Sequence, residues 1–318
     1  MQGLVTVFGG TGFIGRQVVR ALAKRGVRVR VAARNEGQGY RLRMLGDVGQ
    51  IEVVQANIRN RASVERALDG AEACVNMVGV LYESGRQRFQ SLHAMGAKTI
   101  AECAAARGIG RFMQISAVGA DANSSSKYAR SKAEGEAAVR EALPSAVVIR
   151  PSVVFGPEDA FFNRFGQMAA ISPVLPVVGG QTRVQPIFVG DVADAIANAL
   201  LDPSTAGQTF EVGGPTVYTF RELMELIKRE TGRKVVLLPI PFPIARLIGM
   251  AGDIQARLMT PVLTSDQVEL LKHDNVPADG MPGLRELGIT PTAVEAIVPT
   301  YLYRYRKGGQ YAEPTAAG

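Results

Sequence analysis

The fold is decided near the N-terminus, by the glycine-rich stretch Gly9-Gly10-Thr11-Gly12-Phe13-Ile14-Gly15. This stretch follows an apolar run at Leu4–Phe8 and opens a helical pattern over Phe13–Arg25. Gly9 permits a tight turn, Gly12 lets backbone amides approach a pyrophosphate, and Gly15 permits close packing of the helix on the sheet. The helix N-terminus adds free N–H groups and a partial positive charge. The stretch therefore predicts a dinucleotide phosphate loop, with a glycine-rich turn that binds nothing as the alternative.

Strand-like and helical patterns alternate along the first half of the chain. Strands are predicted over Leu4–Phe8, Val27–Ala32, Ile51–Gln55, Ala73–Val78, Arg111–Ile115 and Ala146–Ile149. Helices are predicted over Phe13–Arg25, Ala62–Leu68, Leu92–Ala106 and Lys127–Ala142. Such alternation requires crossover connections, so it predicts an α/β fold with a Rossmann-type doubly wound parallel sheet. After Arg150, frequent prolines indicate a smaller, mixed α/β C-terminal lobe.

Three parts are expected in the domain organisation. Residues 1–155 form the dinucleotide-binding domain, to which the segment 183–212 returns, and residues 156–306 form the smaller lobe. Residues 307–318 are rich in Gly, Ala and Pro and are expected to form a flexible tail. Within the smaller lobe a helix is predicted after Thr219, because Thr219 and Glu222 have the spacing of a capping box.

Composition disfavours several kinds of protein. The chain of 318 residues has two cysteines, Cys74 and Cys103, and two histidines, His93 and His273. A disulfide scaffold, a Cys-rich zinc module and a His-rich metal site are therefore disfavoured, and no metal site is predicted. His93 falls in a helical pattern and is interpreted as a packed or surface histidine.

The net charge of +7 is concentrated at one end of the chain. Residues 1–50 carry nine Lys or Arg against two acids, whereas the remaining residues are balanced. One local basic cluster favours a phosphate-bearing small ligand or an anionic partner surface over nucleic acid. A solvated basic helix face is the alternative for part of this charge.

The end of the second predicted strand distinguishes the two nicotinamide dinucleotides. An acidic residue there would hydrogen-bond a ribose 2′-hydroxyl and repel a 2′-phosphate. This chain instead has Arg34, and Arg16 follows the glycine loop. Because a guanidinium can bind a phosphate bidentately, the sequence favours NADP(H) over NAD(H). An Arg34 side chain that simply points to solvent is the alternative.

Further motifs resemble the extended and atypical short-chain dehydrogenase/reductase superfamily, in the same order along the chain. Asn57-Ile58-Arg59 stands where such proteins have a run that contacts adenine, and Asn76-Met77-Val78-Gly79 ends the fourth strand. Tyr128-Ala129-Arg130-Ser131-Lys132 matches the Y-x-x-x-K pair, and the segment 150–157 resembles the one that closes over nicotinamide. The resemblance implies a Rossmann fold that binds a nicotinamide dinucleotide.

Within that superfamily the chain resembles the NADPH-binding accessory subunits of respiratory complex I and their bacterial homologues. The segments that carry this resemblance are 124–136, 155–165 and 185–192, and the most specific is the F-G-x-E-D-x-F-x-N-x-F run at 155–165. The resemblance implies a protein that holds NADPH without necessarily turning it over. It also implies complex I subunits as partners, a place on the cytoplasmic face of the bacterial inner membrane, and membrane contact that is peripheral or made through partner subunits.

Whether a working active site exists stays open at this stage. Tyr128 and Lys132 lie four apart on a predicted helix and share one face. In active relatives the lysine binds the nicotinamide ribose and lowers the pKa of the tyrosine, which then transfers a proton. The usual place of the third member, a hydroxyl, is here Ala117 or Val118, and Ser116 lies earlier, at the end of the fifth strand. Tyr128 and Lys132 are therefore predicted either as catalytic residues or as cofactor-binding residues only.

The predicted cofactor-binding residues come from the strand ends, the glycine loop and the helix that carries the tyrosine. They are Gly9, Thr11, Gly12, Phe13, Ile14, Gly15, Arg16, Arg34, Asn57, Ile58, Val78, Gly79, Ser116, Tyr128, Lys132, Pro151 and Val153. Three functions remain open: an accessory subunit that holds NADPH, a free NADP(H)-dependent reductase or epimerase, and a redox sensor. The apolar run Ile244–Met250 is consistent with a face for a partner or lipid headgroups, or with packing over a substrate cleft.

Overall fold

The computed structural model describes residues 3–257 and 259–311. Its strands are β1 (Leu4–Phe8), β2 (Arg28–Ala33), β3 (Ile51–Gln55), β4 (Ala73–Asn76), β5 (Arg111–Ile115), β6 (Val147–Pro151), β7 (Val154–Phe155), β8 (Val174–Val178), β9 (Arg183–Val184), β10 (Ile187–Phe188), β11 (Thr209–Val212), β12 (Tyr218–Thr219) and β13 (Val236–Ile240). Its helices are α1 (Phe13–Lys24), α2 (Arg61–Ala67), α3 (Met95–Ala106), α4 (Lys127–Ala142), α5 (Phe162–Ile171), α6 (Val189–Leu201), α7 (Phe220–Thr231), α8 (Phe242–Gln255), α9 (Ser265–Leu270), α10 (Val294–Ile297) and α11 (Pro299–Leu302).

The chain divides into two compact units. The first comprises residues 1–151, 190–212 and 278–290, and the second comprises 152–189, 213–277 and 291–318. Both units are therefore discontinuous in sequence. Of the tail expected over 307–318, residues 312–318 lie outside the described residues.

The first unit contains a seven-stranded parallel sheet. Its strand order is β11-β6-β5-β4-β1-β2-β3, and every pairing is parallel. The order reverses at β1, whose neighbours are β2 on one side and β4 on the other. In open parallel sheets, ligands bind beyond the carboxyl ends of the strands at such a reversal. The predicted Rossmann-type sheet is confirmed, and its reversal point lies where the glycine loop leaves β1.

A buried apolar cluster fixes the helices on one side of this sheet. Ile100 and Cys103 of α3 are fully buried, as are Val64 of α2 and Val139 of α4. The interior strand β1 is buried along its whole length, as expected for a strand covered on both faces. The carboxyl ends of the strands are thereby held in fixed relation to the helices that follow them.

The second unit is smaller and mixed in structure, as predicted. Its strands form two-stranded pairs, β7 with β10, β8 with β13 and β9 with β12, of which the last is antiparallel. Helix α7 begins with the predicted capping box, in which the Thr219 hydroxyl accepts the Glu222 N–H and the Glu222 carboxylate accepts the Thr219 N–H. The predicted capping box and the helix that it starts are therefore both confirmed.

The F-G-x-E-D-x-F-x-N-x-F run forms the centre of this second unit. Asp159 is buried, and its carboxylate accepts hydrogen bonds from the Gly156 N–H and, at 2.6 Å, from the Tyr301 hydroxyl. Asn163 Oδ1 accepts a hydrogen bond from the Tyr305 hydroxyl at 3.0 Å. The polar residues of the run thus bind the C-terminal tyrosines, while its phenylalanines form an aromatic cluster around Phe162.

Candidate functional site

The glycine loop adopts a geometry that side chains would obstruct. Gly9 has φ +82°, a left-handed conformation that favours glycine, and a Cβ there would lie 2.9 Å from the Met77 carbonyl carbon. A Cβ on Gly15 would overlap Gly9 O and would lie 2.7 Å from Gly10 Cα. The Gly12 N–H donates to Gly9 O at 3.0 Å and closes the turn. The loop therefore lets α1 start directly against β1, as the sequence predicts.

The N-terminus of α1 is open to an anion. Gly12 is its N-cap, no side chain caps it among the described residues, and its first turn has no acidic residue. Uncapped amides and the helix dipole attract a phosphate group. Thr11, Phe13 and Ile14 are half-buried around this turn. Arg16 Nη1 donates to Thr11 O at 3.4 Å, which holds a cation against the loop.

Arg34 follows the end of β2, next to the end of β1 in the sheet. Its side chain is exposed, and the part of the chain that the structure describes offers its guanidinium no hydrogen bond or ion pair. The adjacent Asn35 caps a short 3₁₀ helix, and Glu36 accepts the Gln55 N–H. The neighbouring carboxylate is therefore turned to the backbone, and the guanidinium remains available for an anion.

Of the predicted adenine-contacting residues, Asn57 is partly accessible and Ile58 is buried. Asn57 is half-buried, and its Oδ1 accepts the Arg59 N–H at 3.1 Å in a tight local turn. Ile58 is 6% exposed and packs in the core, where a Cβ on Gly96 would collide with it. The side-chain amide N–H groups of Asn57 thus remain for a ligand, while the Ile58 side chain serves packing.

The end of β4 meets α4 at the reversal point of the sheet. Asn76 is fully buried and holds the turn, because its Oδ1 accepts the Val78 N–H at 3.1 Å and its Nδ2 donates to Gln114. A Cβ on Gly79 would lie 3.3 Å from Lys132 Nζ and 3.5 Å from His93 Nε2. The structure therefore brings Gly79 and Lys132 together, beside a histidine that the sequence did not assign to the site.

His93 links three parts of the site by hydrogen bonds. The Val80 N–H donates to His93 Nε2 at 3.0 Å, and Ser131 Oγ donates to Tyr128 O at 2.8 Å. The 2.9 Å contact between His93 Nδ1 and Ser131 Oγ must then have Nδ1 as the donor, which assigns the neutral tautomer. Burial, with the neighbouring Lys132 charge, lowers the pKa of His93 to about 2. His93 is thus a fixed neutral bridge between the β4 turn and α4.

His93 was interpreted from the sequence as a packed or surface histidine, and the structure buries it to 2% exposure. Its contacts could not be predicted from the sequence pattern, because His93 lies in a π-helical segment, Gln90–Ala94, that precedes α3. Such segments shift side chains away from ordinary helical positions and recur at functional sites. The backbone of α4 approaches closely here, since a Cβ on Gly135 would overlap His93 O.

Lys132 is a buried cation at the carboxyl end of β5. It is 7% exposed, and its Nζ donates to Ile115 O at 3.3 Å. Desolvation lowers the pKa of Lys132 to about 8, against a smaller opposing effect of Glu136. An ammonium has three donors, so two remain beyond the bond to Ile115. A charged group that is buried with donors to spare is typical of a ligand site rather than of a stabilising contact.

Replacing Lys132 with methionine should stabilise the protein without ligand while weakening binding of the predicted dinucleotide. Because the folded pKa lies below the ordinary 10.5, the buried charge destabilises the fold below pH 8, and this penalty fades as pH rises from 8 to 10.5. We expect a gain of about 1–3 kcal/mol in the free energy of unfolding near pH 7, after discounting the lost bond to Ile115. Denaturant titrations at pH 7 and pH 10 measure it, and a loss of stability at pH 7 would contradict it.

The Tyr128 ring lies in an aromatic setting on α4. It packs edge-on against Phe89 and His93, with ring centroids 5.7 and 5.4 Å apart. Lys132 Nζ lies 5.8 Å from the centre of the same ring. The pair therefore shares one face of the helix, and the ring of the tyrosine is fixed by contacts to the π-helical segment.

Ser116 has the unpaired hydroxyl of this region. Its Oγ is buried and has no hydrogen-bond partner, and it is the one such side-chain atom among the described residues. An unsatisfied buried hydroxyl costs about 1–3 kcal/mol, a penalty that a ligand group can remove. Ile115, the preceding residue, gives its carbonyl to Lys132. Pro151 O accepts the Val118 N–H at 3.0 Å, which ties the end of β6 to the loop after β5.

Val153 belongs to the second unit, where its N–H donates to Asn275 Oδ1 at 2.9 Å and its carbonyl accepts the Ile187 N–H. The remaining predicted site residues lie in the first unit. There the open N-terminus of α1 follows β1, the unpaired Arg34 follows β2, and the unpaired Ser116 hydroxyl follows β5. Helix α4 supplies Lys132, whose ammonium has donors to spare. This donor set fits a ligand with phosphates at one end and a polar ring at the other.

No group of three or more His, Cys, Asp or Glu with metal-binding geometry occurs in residues 3–257 and 259–311.

Known proteins resemble this chain along nearly its whole length. It is 32% identical to the mitochondrial NADH-ubiquinone oxidoreductase 40 kDa subunit of Neurospora crassa, over 98% of this chain and 82% of that protein. It is 34% identical to subunit 9 of the mouse NADH dehydrogenase 1 alpha subcomplex, over 95% and 80%. It is also 34% identical to the ceramide reductase of Caulobacter vibrioides, over 88% and 90%.

Solved structures share the fold at low sequence identity. The NADPH complex of the NADPH-dependent quinone oxidoreductase of Escherichia coli superposes with a TM-score of 0.74 at 18% identity, over 94% of this chain and 99% of that one. A model of the NmrA-like family matches residues 1–277. The chain therefore belongs to the NmrA-like family of atypical short-chain dehydrogenase/reductases and is a relative of the complex I 40 kDa subunits.

Proposed function

We propose that this protein binds NADPH and serves as an accessory subunit of a bacterial-type respiratory complex I. The observation that carries the cofactor is the donor set around β1, where α1 begins uncapped and Lys132 is buried with donors unused. The pyrophosphate would lie at the start of α1 and the 2′-phosphate at Arg34. Lys132 would hold the nicotinamide ribose, and Ser116 would hydrogen-bond near the nicotinamide.

The proposed accessory role rests on the near full-length similarity to the 40 kDa and alpha-subcomplex subunits. The similarity covers both units, so the surfaces of the chain are related to theirs as well as the cofactor site. Bound NADPH supplies a hydride in enzymes of this fold, but a subunit that holds it permanently needs only the binding residues. On this proposal the protein acts at the cytoplasmic face of the inner membrane, through contacts with other subunits.

An NADPH-dependent reductase is a second candidate function. It is favoured by the similarity to a ceramide reductase over 88% of the chain and by the Tyr128–Lys132 pair. In that function the Tyr128 phenol would donate the proton to the carbonyl oxygen, with the Lys132 charge favouring its ionised form. The fixed neutral His93 would orient the helix that carries both residues.

Affinity purification distinguishes the two functions. A C-terminally tagged chain is expressed at its native level in the source organism, and membranes are solubilised in a mild detergent. We expect complex I subunits in stoichiometric amounts by mass spectrometry, and the same yield from Tyr128→Phe. A chain that purifies alone and whose NADPH-dependent reductase activity is lost in Tyr128→Phe would contradict the accessory role and establish the enzyme.

A further inference from the structure

Helix α8 buries small residues and exposes large apolar ones, the reverse of an ordinary surface helix. The residues that face the protein are small, namely Ala245, Gly249, Gly252 and Ala256, all buried. A Cβ on Gly249 would lie 2.7 Å from Ser265 N, and one on Gly252 would overlap Leu263 O. The backbone of α8 is therefore packed tightly on the segment before α9, and only small residues fit on its inner side.

The large apolar side chains of α8 face outward. Ile244 is 51% exposed, Leu247 67%, Ile248 42%, Met250 54% and Ile254 67%. At about 100° per residue, these positions with Ala251 span an arc of about 160° on the side opposite the glycines. Met259 and Val262, just beyond the helix, are also more than half exposed. Single exposed apolar residues are common on protein surfaces, but a contiguous apolar patch marks an interaction site. The residues of α8 form such a patch, because they line up on one helical face.

The charge at the edge of the apolar arc of α8 is positive. On the same helical wheel Arg246 lies about 40° from Met250, and Arg257 follows the end of α8 by two residues. Within the described residues neither guanidinium has a hydrogen bond or ion pair. Asp253, an acid on α8 itself, accepts hydrogen bonds from the Ser265 N–H and hydroxyl. The free charge next to the apolar face is therefore positive.

We propose that the outer face of α8 docks on an anionic lipid bilayer, with Ile244, Leu247, Ile248, Met250 and Ile254 entering the headgroup region. The aliphatic arc has no Tyr or Trp, which protein interfaces favour, and no polar group that needs a partner. Basic residues on the rim match anionic headgroups, as in interfacial helices that lie in the membrane plane. No helix in residues 3–257 and 259–311 is long and apolar enough to cross a bilayer.

Sedimentation of the full chain with sucrose-loaded vesicles tests this docking. The vesicles are phosphatidylcholine alone or an equal mixture with phosphatidylglycerol. We expect stronger binding to the mixture, and a drop of at least about tenfold in the partition coefficient for the Leu247→Gln, Ile254→Gln double variant, because two deeply inserted side chains become polar. Arg246→Gln with Arg257→Gln should remove the preference for phosphatidylglycerol, as should high salt.

Matched controls make the outcome decisive. Met44→Gln with Val48→Gln changes two other exposed apolar residues, 79% and 108% exposed, and should leave vesicle binding unchanged. Melting temperature and NADPH content are measured on every variant, so that failure of lipid docking is separate from failure of the cofactor site. Absence of vesicle binding by the wild type, or wild-type binding by Leu247→Gln, Ile254→Gln, would overturn the proposal. A dimer that this double variant dissociates would show that a second copy covers the face.

Discussion

Replacing Gly15 with alanine is expected to reduce the affinity for NADPH by at least about 100-fold, or about 2.8 kcal/mol. The added methyl group would overlap Gly9 O and crowd Gly10 Cα, both of which are backbone atoms. Neither can be relieved by a side-chain rotation, so the loop must move away from α1. The amides that face the phosphates would move with it. Isothermal titration calorimetry with NADPH measures the effect.

A glycine elsewhere in the same unit supplies the control. A Cβ on Gly110 would meet no atom within 4 Å, and its φ is not positive. Gly110→Ala should therefore bind NADPH like the wild type. Thermal melts of both variants separate loss of the site from loss of the fold. Wild-type affinity in a folded Gly15→Ala variant would show that the loop does not hold the cofactor.

Arg34→Ala is expected to weaken NADPH binding by about 10- to 100-fold and to leave NADH binding nearly unchanged. The guanidinium is exposed, has no partner in the described residues, and follows β2 where a ribose 2′-phosphate would lie. Charge-assisted contacts to a phosphate are worth about 1.5–3 kcal/mol, and NADH lacks that phosphate. Paired titrations with the two nucleotides give the ratio directly.

Arg20→Ala is the matched control for Arg34→Ala. Arg20 is exposed on α1 and carries the same charge in the same unit. Its removal tests whether general loss of positive charge, rather than a local contact, changes affinity. Equal losses for NADPH and NADH in Arg34→Ala, or equal losses in both arginine variants, would contradict the assignment of the 2′-phosphate site.

The sheet and the phosphate loop could be predicted from the sequence because their signals are local. Strands buried on both faces have continuous apolar runs, and the glycine loop has a spacing that few other structures require. The strands predicted at Leu4–Phe8, Ile51–Gln55 and Arg111–Ile115 have the bounds found in the structure. The helix at Lys127–Ala142 is also the predicted one.

Other features depend on contacts between distant segments and could not be predicted. His93 meets Val80 and Ser131 only because a π-helical segment and a close approach at Gly135 bring them together. The predicted helix at Leu92–Ala106 therefore begins at Met95 as an α-helix, after the π-helical segment. The Tyr301 and Tyr305 hydroxyls likewise bind Asp159 and Asn163, partners that lie 142 residues earlier in the chain.

The most direct test of the account is the nucleotide content of the full chain, purified rapidly under native conditions. The protein is denatured in alkali, which preserves reduced nucleotides, and the released nucleotides are separated and quantified by liquid chromatography with mass spectrometry. We predict NADPH at close to one molecule per chain, with NADP⁺ a minor component. NADH or NAD⁺ in its place, or a chain that neither retains nor takes up NADPH, would contradict the account.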